Sequence, residues 1–192
     1  MANYRFKINL NSQMIPYCIL IGGWSLYFIL HSLMAGRVNR ILYVLISTAG
    51  LLALLFYNGS IHSLKFFVSE GPVRYISLVL TTFGVMIIQS SFRQFNFKGF
   101  IGISKENAGL KTDGILQYVR HPIQAGIILV VLGFFFFIPN LPTLISCVCI
   151  LIYIPIGLYF EEKKLVALYG DQYIEYRKKV PAIIPNKLLS KT

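Results

Sequence analysis

YVRHPIQAGIILVVLGFFFFIPN, residues 118–140, decides the fold. From Pro122 to Ile138 only Gln124 interrupts an apolar run, and at about 1.5 Å per residue a helix of this length approaches the thickness of a bilayer's hydrocarbon core, about 30 Å. Arg120, His121 and Pro122 stand at its lip. Charge beside a span ordinarily anchors a helix end at the interface, so the triplet alone indicates an anchor and the rest of the chain must say whether it is more.

Working outward, four further stretches are long and apolar enough to span: residues 15–34, 41–57, 73–89 and 141–160. Of the 192 residues, 56% are hydrophobic and only 13% charged, against about 25% charged in soluble proteins. The sequence therefore predicts an all-α membrane protein, a single membrane domain over 1–192 with about five transmembrane helices and a cytoplasmic C-terminal amphipathic helix. Arg5 and Lys7 precede the first span as in a signal peptide, but its apolar stretch is too long and no small-residue cleavage site follows, so it is expected to be retained. Cys18, Cys147 and Cys149 all fall inside spans and act as small hydrophobes; no metal-site spacing is present.

The net charge of +11 has no soluble domain to sit on, which argues against nucleic acid as a partner. Its distribution instead follows the spans. Fourteen of the eighteen Lys and Arg fall on the side that carries 36–40, 90–121 and 161–192. The positive-inside rule puts that side in the cytoplasm and the N-terminus outside, as in a bacterial-type inner membrane.

Pro139-Asn140-Leu141-Pro142 leaves room only for a tight turn, so the fourth and fifth spans form a hairpin. Its open ends then bring Arg120-His121-Pro122 and Glu161-Glu162 to one membrane plane. Between the third and fourth spans, Phe92, Phe95, Phe97 and Phe100 with Arg93 and Lys98 suit a stretch lying at the headgroups. Gly109 to Gly114 suits a short β-hairpin or an irregular loop. After Phe160, Leu165, Val166, Leu168, Tyr169, Tyr173 and Tyr176 recur at helical intervals, with Gly170 as a bend and Pro181 and Pro185 beyond the end.

At the hairpin's mouth, Arg120 is a permanent fork donor and His121 brings an imidazole, which can donate or accept a hydrogen bond. Pro122 suits a first helical turn. Two acids at the end of a span are costly to keep at an apolar boundary and point to function. Together these groups suit a ligand carrying both a carboxylate and an ammonium: Arg120 or His121 for the first, Glu161 or Glu162 for the second. An interfacial anchor with local ion pairs is the alternative.

The string GILQYVRHPIQAG, an apolar hairpin, and then EEKKL…YGDQYIEYRKKVPAIIP resemble the C-terminal half of the isoprenylcysteine carboxyl methyltransferase and phospholipid methyltransferase superfamily over about residues 109–185. The HSLMA of 31–35, the LYVLIS of 42–47 and FKGFIGI before the motif resemble the NnrU and methanethiol S-methyltransferase branch. The resemblance implies an integral-membrane enzyme using S-adenosylmethionine. It implies cofactor contacts from Gly114, Tyr118, Arg120, His121, Pro122, Gly126, Glu161, Glu162, Tyr173, Tyr176 and Arg177, with Arg120 and His121 nearest the chemistry. Gln124 departs from the pattern, since many members have an aromatic residue there. The acceptor is a small thiol, a prenylcysteine carboxylate or a lipid amine. For a thiol, which needs activation, His31 is the expected substrate-side residue. The oligomeric state is not written in the sequence.

Two other functions fit part of the pattern. Sterol reductases carry a similar Arg-His-Pro element and use NADPH. A membrane assembly or transport factor would use the same charges to dock a partner or anionic lipid.

Overall fold

A computed structural model describes residues 10–34, 46, 49–50, 53–54, 56–58, 61, 63, 65–94 and 109–185. Its helices are α1 (Leu10–Met34), α2 (Gly71–Gln94), α3 (Pro122–Phe137), α4 (Leu141–Tyr169) and α5 (Asp171–Lys179), with a short 3-10 helix at Gly114–Gln117. The described residues between 46 and 58 are helical too, but most of the expected 41–57 span lies outside the described residues. Among the described residues, α1, α2 and α4 are long and apolar enough to cross a membrane, and α3, with 16 residues, is shorter. In lipid such segments must be helical, because nothing outside the chain can satisfy their backbone groups.

α2 and α3 pack the most closely, and small residues are the reason. A Cβ added at Gly84 would come within 2.6 Å of the Gly126 carbonyl oxygen, and one at Gly126 within 2.7 Å of the Gly84 oxygen. Such small-residue contacts drive helix association where lipid is as apolar as the side chains. The hydroxyls at this seam are satisfied within their own helix: Ser77 Oγ donates to Arg74 O at 2.7 Å and Thr81 Oγ1 to Ser77 O at 2.8 Å.

The hairpin between α3 and α4 forms as expected. Asn140 caps α4 by accepting from Thr143 N at 2.9 Å, and Pro142 occupies the first turn, where it has no donor to lose. Residues 65–70 dock onto this turn: Phe66 N donates to Pro139 O at 2.7 Å and Ser69 Oγ to Phe136 O at 2.8 Å. Phe66 and Phe67 meet Phe135 there, and Arg74 lies over the Phe137 ring, so the phenylalanine run 134–137 is packed at this end.

The helix expected after Phe160 continues directly from the fifth span, so α4 runs unbroken to Tyr169. It stops because Gly170 takes φ +55°, a conformation most residues avoid. α5 begins with Asp171 and ends with Arg177, Lys178 and Lys179, charges that complement the helix dipole. Tyr173, Tyr176 and Val180 fold back onto Leu110, Leu165, Val166 and Tyr169. Leu168, expected on that apolar face, is exposed instead. No β-hairpin forms at 109–114, where the chain is irregular before the 3-10 helix. Phe95, Phe97, Phe100 and Lys98 lie outside the described residues, as do the side chains of Phe92 and Arg93.

Candidate functional site

Arg120 and His121 are the last residues before α3, and Glu161 and Glu162 lie two-thirds of the way along α4. Because the two helices are joined at their far ends, the four side chains converge. Arg120 Nη1 is 2.5 Å from Glu162 Oε1, and both side chains are largely buried. His121, 3% exposed, places Nε2 3.4 Å from the same oxygen and Nδ1 3.6 Å from Glu161 Oε2. Arg177 Nε, from α5, reaches Glu162 Oε2 at 3.4 Å. Glu162 is thus the hub, facing three basic side chains, whereas the more exposed Glu161 accepts from Gln124 Nε2 at 2.9 Å.

One atom in this cluster is left over. The Arg120 Nε is buried with no hydrogen-bond partner among the described residues, a condition that native structures rarely tolerate without a ligand or water in attendance.

The chain beyond α5 closes against the same residues. Arg120 N donates to Pro181 O and His121 N to Ala182 O, each at 2.9 Å. Backbone groups that would otherwise be orphaned at the start of α3 are thereby satisfied. Tyr176 OH donates to Leu116 O at 2.6 Å, and Tyr173 OH lies 3.5 Å from Arg120 Nη1, a marginal distance. Burial pushes both phenols up, Tyr176 to about 12; for Tyr173 the Glu162 carboxylate adds to the effect of burial.

The other expected residues are distributed as follows. Pro122 opens α3 and is buried. Gly114, at φ +64°, begins the 3-10 helix that leads into the cluster. Tyr118 is half exposed. Gly126 faces Gly84 and Ile88 of α2, so it is the helix crossing that requires this glycine. His31 is in the last turn of α1, where Nδ1 lies 2.8 Å from Tyr153 OH.

A cavity of about 1500 Å³ runs between the helices. Gln124, Glu161 and Lys164 form a polar end, and most of the remaining wall is apolar or aromatic, with His31 and Tyr153 in it. Glu161 and Gln124 therefore belong both to the ion cluster and to the cavity.

With this geometry in view, comparison with known proteins is informative. The phospholipid methyltransferase family matches residues 73–172, more than half of the chain, and takes in Arg120, His121, Gln124, Glu161 and Glu162 but not Tyr173, Tyr176, Arg177 or the segment that follows them. The chain belongs to the phospholipid methyltransferase family. Within it, the chain is 28% identical over 187 residues to methanethiol S-methyltransferase 1 of Bradyrhizobium diazoefficiens, an overlap of 84% of this chain and 64% of that protein. It is 40% identical over 77 residues to the methanethiol S-methyltransferase of Crocosphaera subtropica, covering 39% of this chain and 29% of the relative. Over 77 residues it is also 40% identical to protein-S-isoprenylcysteine O-methyltransferase of Schizosaccharomyces pombe, 40% of this chain and 33% of that one. The chain spans less than two thirds of the length of each of these curated relatives. No solved structure matches it.

Membership of the phospholipid methyltransferase family rests on motifs that were legible, but two residues of the site were not. Tyr153 carries no motif, and only its reach to His31 singles it out. Trp24 is fully buried and donates to Ser146 Oγ at 3.0 Å, in a chain that continues to Asn58 and Thr143. A buried indole N–H requires a partner, and Ser146 inside an apolar run was the available signal.

Proposed function

We propose that this chain is a membrane-embedded methyltransferase that takes a methyl group from S-adenosylmethionine and passes it to a small thiol, with the donor site on the cytoplasmic side. The observation that carries this reading is the buried Arg120 Nε, without a hydrogen-bond partner among the described residues, in an ion cluster that reaches a mostly apolar cavity through Glu161 and Gln124.

The residues fit such a donor. Its methionyl part carries a carboxylate and an ammonium, and the cluster offers a group for each. Arg120 Nε supplies the missing partner for a carboxylate. Glu161 is the better holder of the ammonium, because both oxygens of Glu162 are already engaged by Arg120, His121 and Arg177. Glu162 then acts by fixing those three side chains. Tyr173, Tyr176 and the segment at 180–182 exclude water from the Arg120 side. The bound donor would supply an electrophilic methyl on a sulfonium. What this chain must add is orientation and a dry environment rather than strong acid catalysis, since a charge disappears in the step.

The thiol acceptor is supported by the relatives named methanethiol S-methyltransferase. A prenylcysteine carboxylate is a second reading. The volume and apolar wall of the cavity favour it, as does the name of the yeast relative. The test is transfer of labelled methyl by detergent-purified protein to methanethiol, to a prenylcysteine and to a lipid amine in parallel, with NADPH oxidation beside it. Labelled dimethyl sulfide supports the thiol reading. A labelled ester supports the second, and NADPH consumption without methyl transfer overturns both.

A further inference from the structure

The cavity contains a titratable pair that the donor cluster does not use. His31 of α1 and Tyr153 of α4 are hydrogen-bonded at 2.8 Å and both line the wall. Their rings are held in place: Phe28 stacks on Tyr153 with centroids 4.0 Å apart and planes 9° from parallel, and the Tyr27 ring centroid is 5.8 Å from that of His31.

The other groups on the wall with protons to exchange have different engagements. Glu161 accepts from Gln124 and faces His121. Cys147 Sγ lies 3.4 Å from Val131 O. Lys164 sits a turn beyond Glu161 at the polar end. A histidine–tyrosine bond between two membrane helices has a simple packing explanation. Packing does not by itself explain why the pair fronts a space rather than the seam between α1 and α4.

A thiol entering that space must lose a proton. A cysteine thiol, with a pKa of about 8.5, is only a few per cent ionised at pH 7, a simple alkanethiol is less acidic still, and the thiolate is the nucleophile. An imidazole on the wall is the group suited to take that proton.

We infer that His31 is the base that deprotonates a thiol acceptor held in this cavity, and that Tyr153 is the positioning residue that fixes its ring. The inference rests on the methyltransferase reading above. When Nδ1 donates to the Tyr153 oxygen, the Nε2 lone pair is the basic one. The thiol S–H bond breaks and its proton passes to Nε2. The sulfur's electron pair forms the new bond to the methyl carbon. The bond from that carbon to the donor's sulfonium sulfur breaks and leaves its pair on that sulfur. The proton on His31 is then lost to water, so a sulfonium and a thiol become two neutral thioethers and one released proton.

The test uses His31→Gln and Tyr153→Phe in the full chain, with two acceptors of the same size: ethanethiol, and ethaneselenol, which is already ionised near neutrality. Donor binding by calorimetry shows that the variants are folded. Expected is a loss of about a hundredfold in kcat with ethanethiol for His31→Gln, a smaller loss in kcat at unchanged KM for Tyr153→Phe, and no loss in either variant with ethaneselenol. Independently of turnover, the chain has three histidines. The ¹⁵N-imidazole resonance missing from His31→Gln is expected to move toward the imidazolium position when ethanethiol is added without donor. Equal losses with both acceptors, an unaffected ethanethiol rate, or no ¹⁵N shift would overturn the assignment. Turnover of a prenylcysteine but of no thiol would overturn it and leave the methyltransferase reading standing. Failure of the wild type to bind donor would remove both.

Discussion

Glu162 holds Arg120 in place from across a helical hairpin: their side chains meet at 2.5 Å, although one residue precedes α3 and the other lies well inside α4. His121 and Arg177 close on the same carboxylate. A buried pair of this kind is poor evidence for net stability, since desolvation offsets much of the attraction, but removing one partner strands the other. Several consequences are measurable.

Glu162→Gln leaves the Arg120 guanidinium buried without its counter-charge. A loss of about 3 kcal/mol in stability is expected, together with loss of donor binding. Thermal unfolding in detergent should show the double variant Arg120→Met, Glu162→Leu to be less destabilised than Glu162→Gln alone, while donor binding is absent from both. Equal or greater destabilisation of the double variant would show that Glu162 stabilises the fold by some means other than this pair.

Tyr176 gives a dependence on pH. Its phenol is pushed from the usual 10.0 up to about 12, chiefly by burial. Below about pH 10 both folded and unfolded chains keep the proton, and its contribution to stability is fully present. Between about 10 and 12 the unfolded chain ionises first, so this contribution is lost as pH rises. Tyr176→Phe should therefore unfold less steeply with pH across that window than the wild type. At neutral pH it should be about 1 kcal/mol less stable, from loss of the bond to Leu116 O. Parallel alkaline unfolding curves would contradict this.

Gly133→Ala tests the crossing of α2 and α3. The added methyl would lie 2.8 Å from Ser77 O and 2.9 Å from Thr81 N, backbone atoms that cannot move aside cheaply. A cost of about 1–3 kcal/mol is expected. Gly157→Ala, whose new Cβ would meet only Tyr153 at 3.9 Å, is the control and should be nearly neutral. Similar melting temperatures for the two would show the crossing to be looser than its geometry indicates.

Ending the chain after Lys179 removes the carbonyls of Pro181 and Ala182 that satisfy the backbone N–H groups of Arg120 and His121. Donor affinity should fall by about tenfold or more, since each unsatisfied buried donor costs about 1–3 kcal/mol. Substituting Ala182 by Ser, which keeps the backbone bond, should leave affinity unchanged. If the truncated chain binds as tightly as the intact one, this segment does not organise the site.

Much of this was legible in the sequence. The apolar runs predicted α1, α2, α3 and α4, and the Pro-Asn-Leu-Pro turn predicted the hairpin and hence the meeting of Arg120-His121 with Glu161-Glu162. The continuation of α4 past the charged run and the break at Gly170 followed from helical spacing and one glycine. Other features depend on long-range partners that no local pattern reports. Glu161 and Glu162 are neighbours of identical type, and it is the approach of Arg120 and Arg177 to one and Gln124 to the other that separates their roles. The Pro181 and Ala182 bonds are made by backbone atoms, which every residue has. Gly126 matched a motif, yet its immediate neighbours are Gly84 and Ile88 of α2, because a glycine's use depends on what approaches it.

The central claim is that Arg120, Glu161 and Glu162 form a site for a zwitterionic sulfonium donor. Calorimetric titration of detergent-purified protein with S-adenosylmethionine and S-adenosylhomocysteine, alongside His121→Ala, Glu161→Gln and Glu162→Gln, tests it most directly. The account predicts saturable binding of both ligands by the wild type and its loss in both glutamate variants. Absence of binding by well-folded wild type, or undiminished binding by Glu161→Gln and Glu162→Gln, would contradict it.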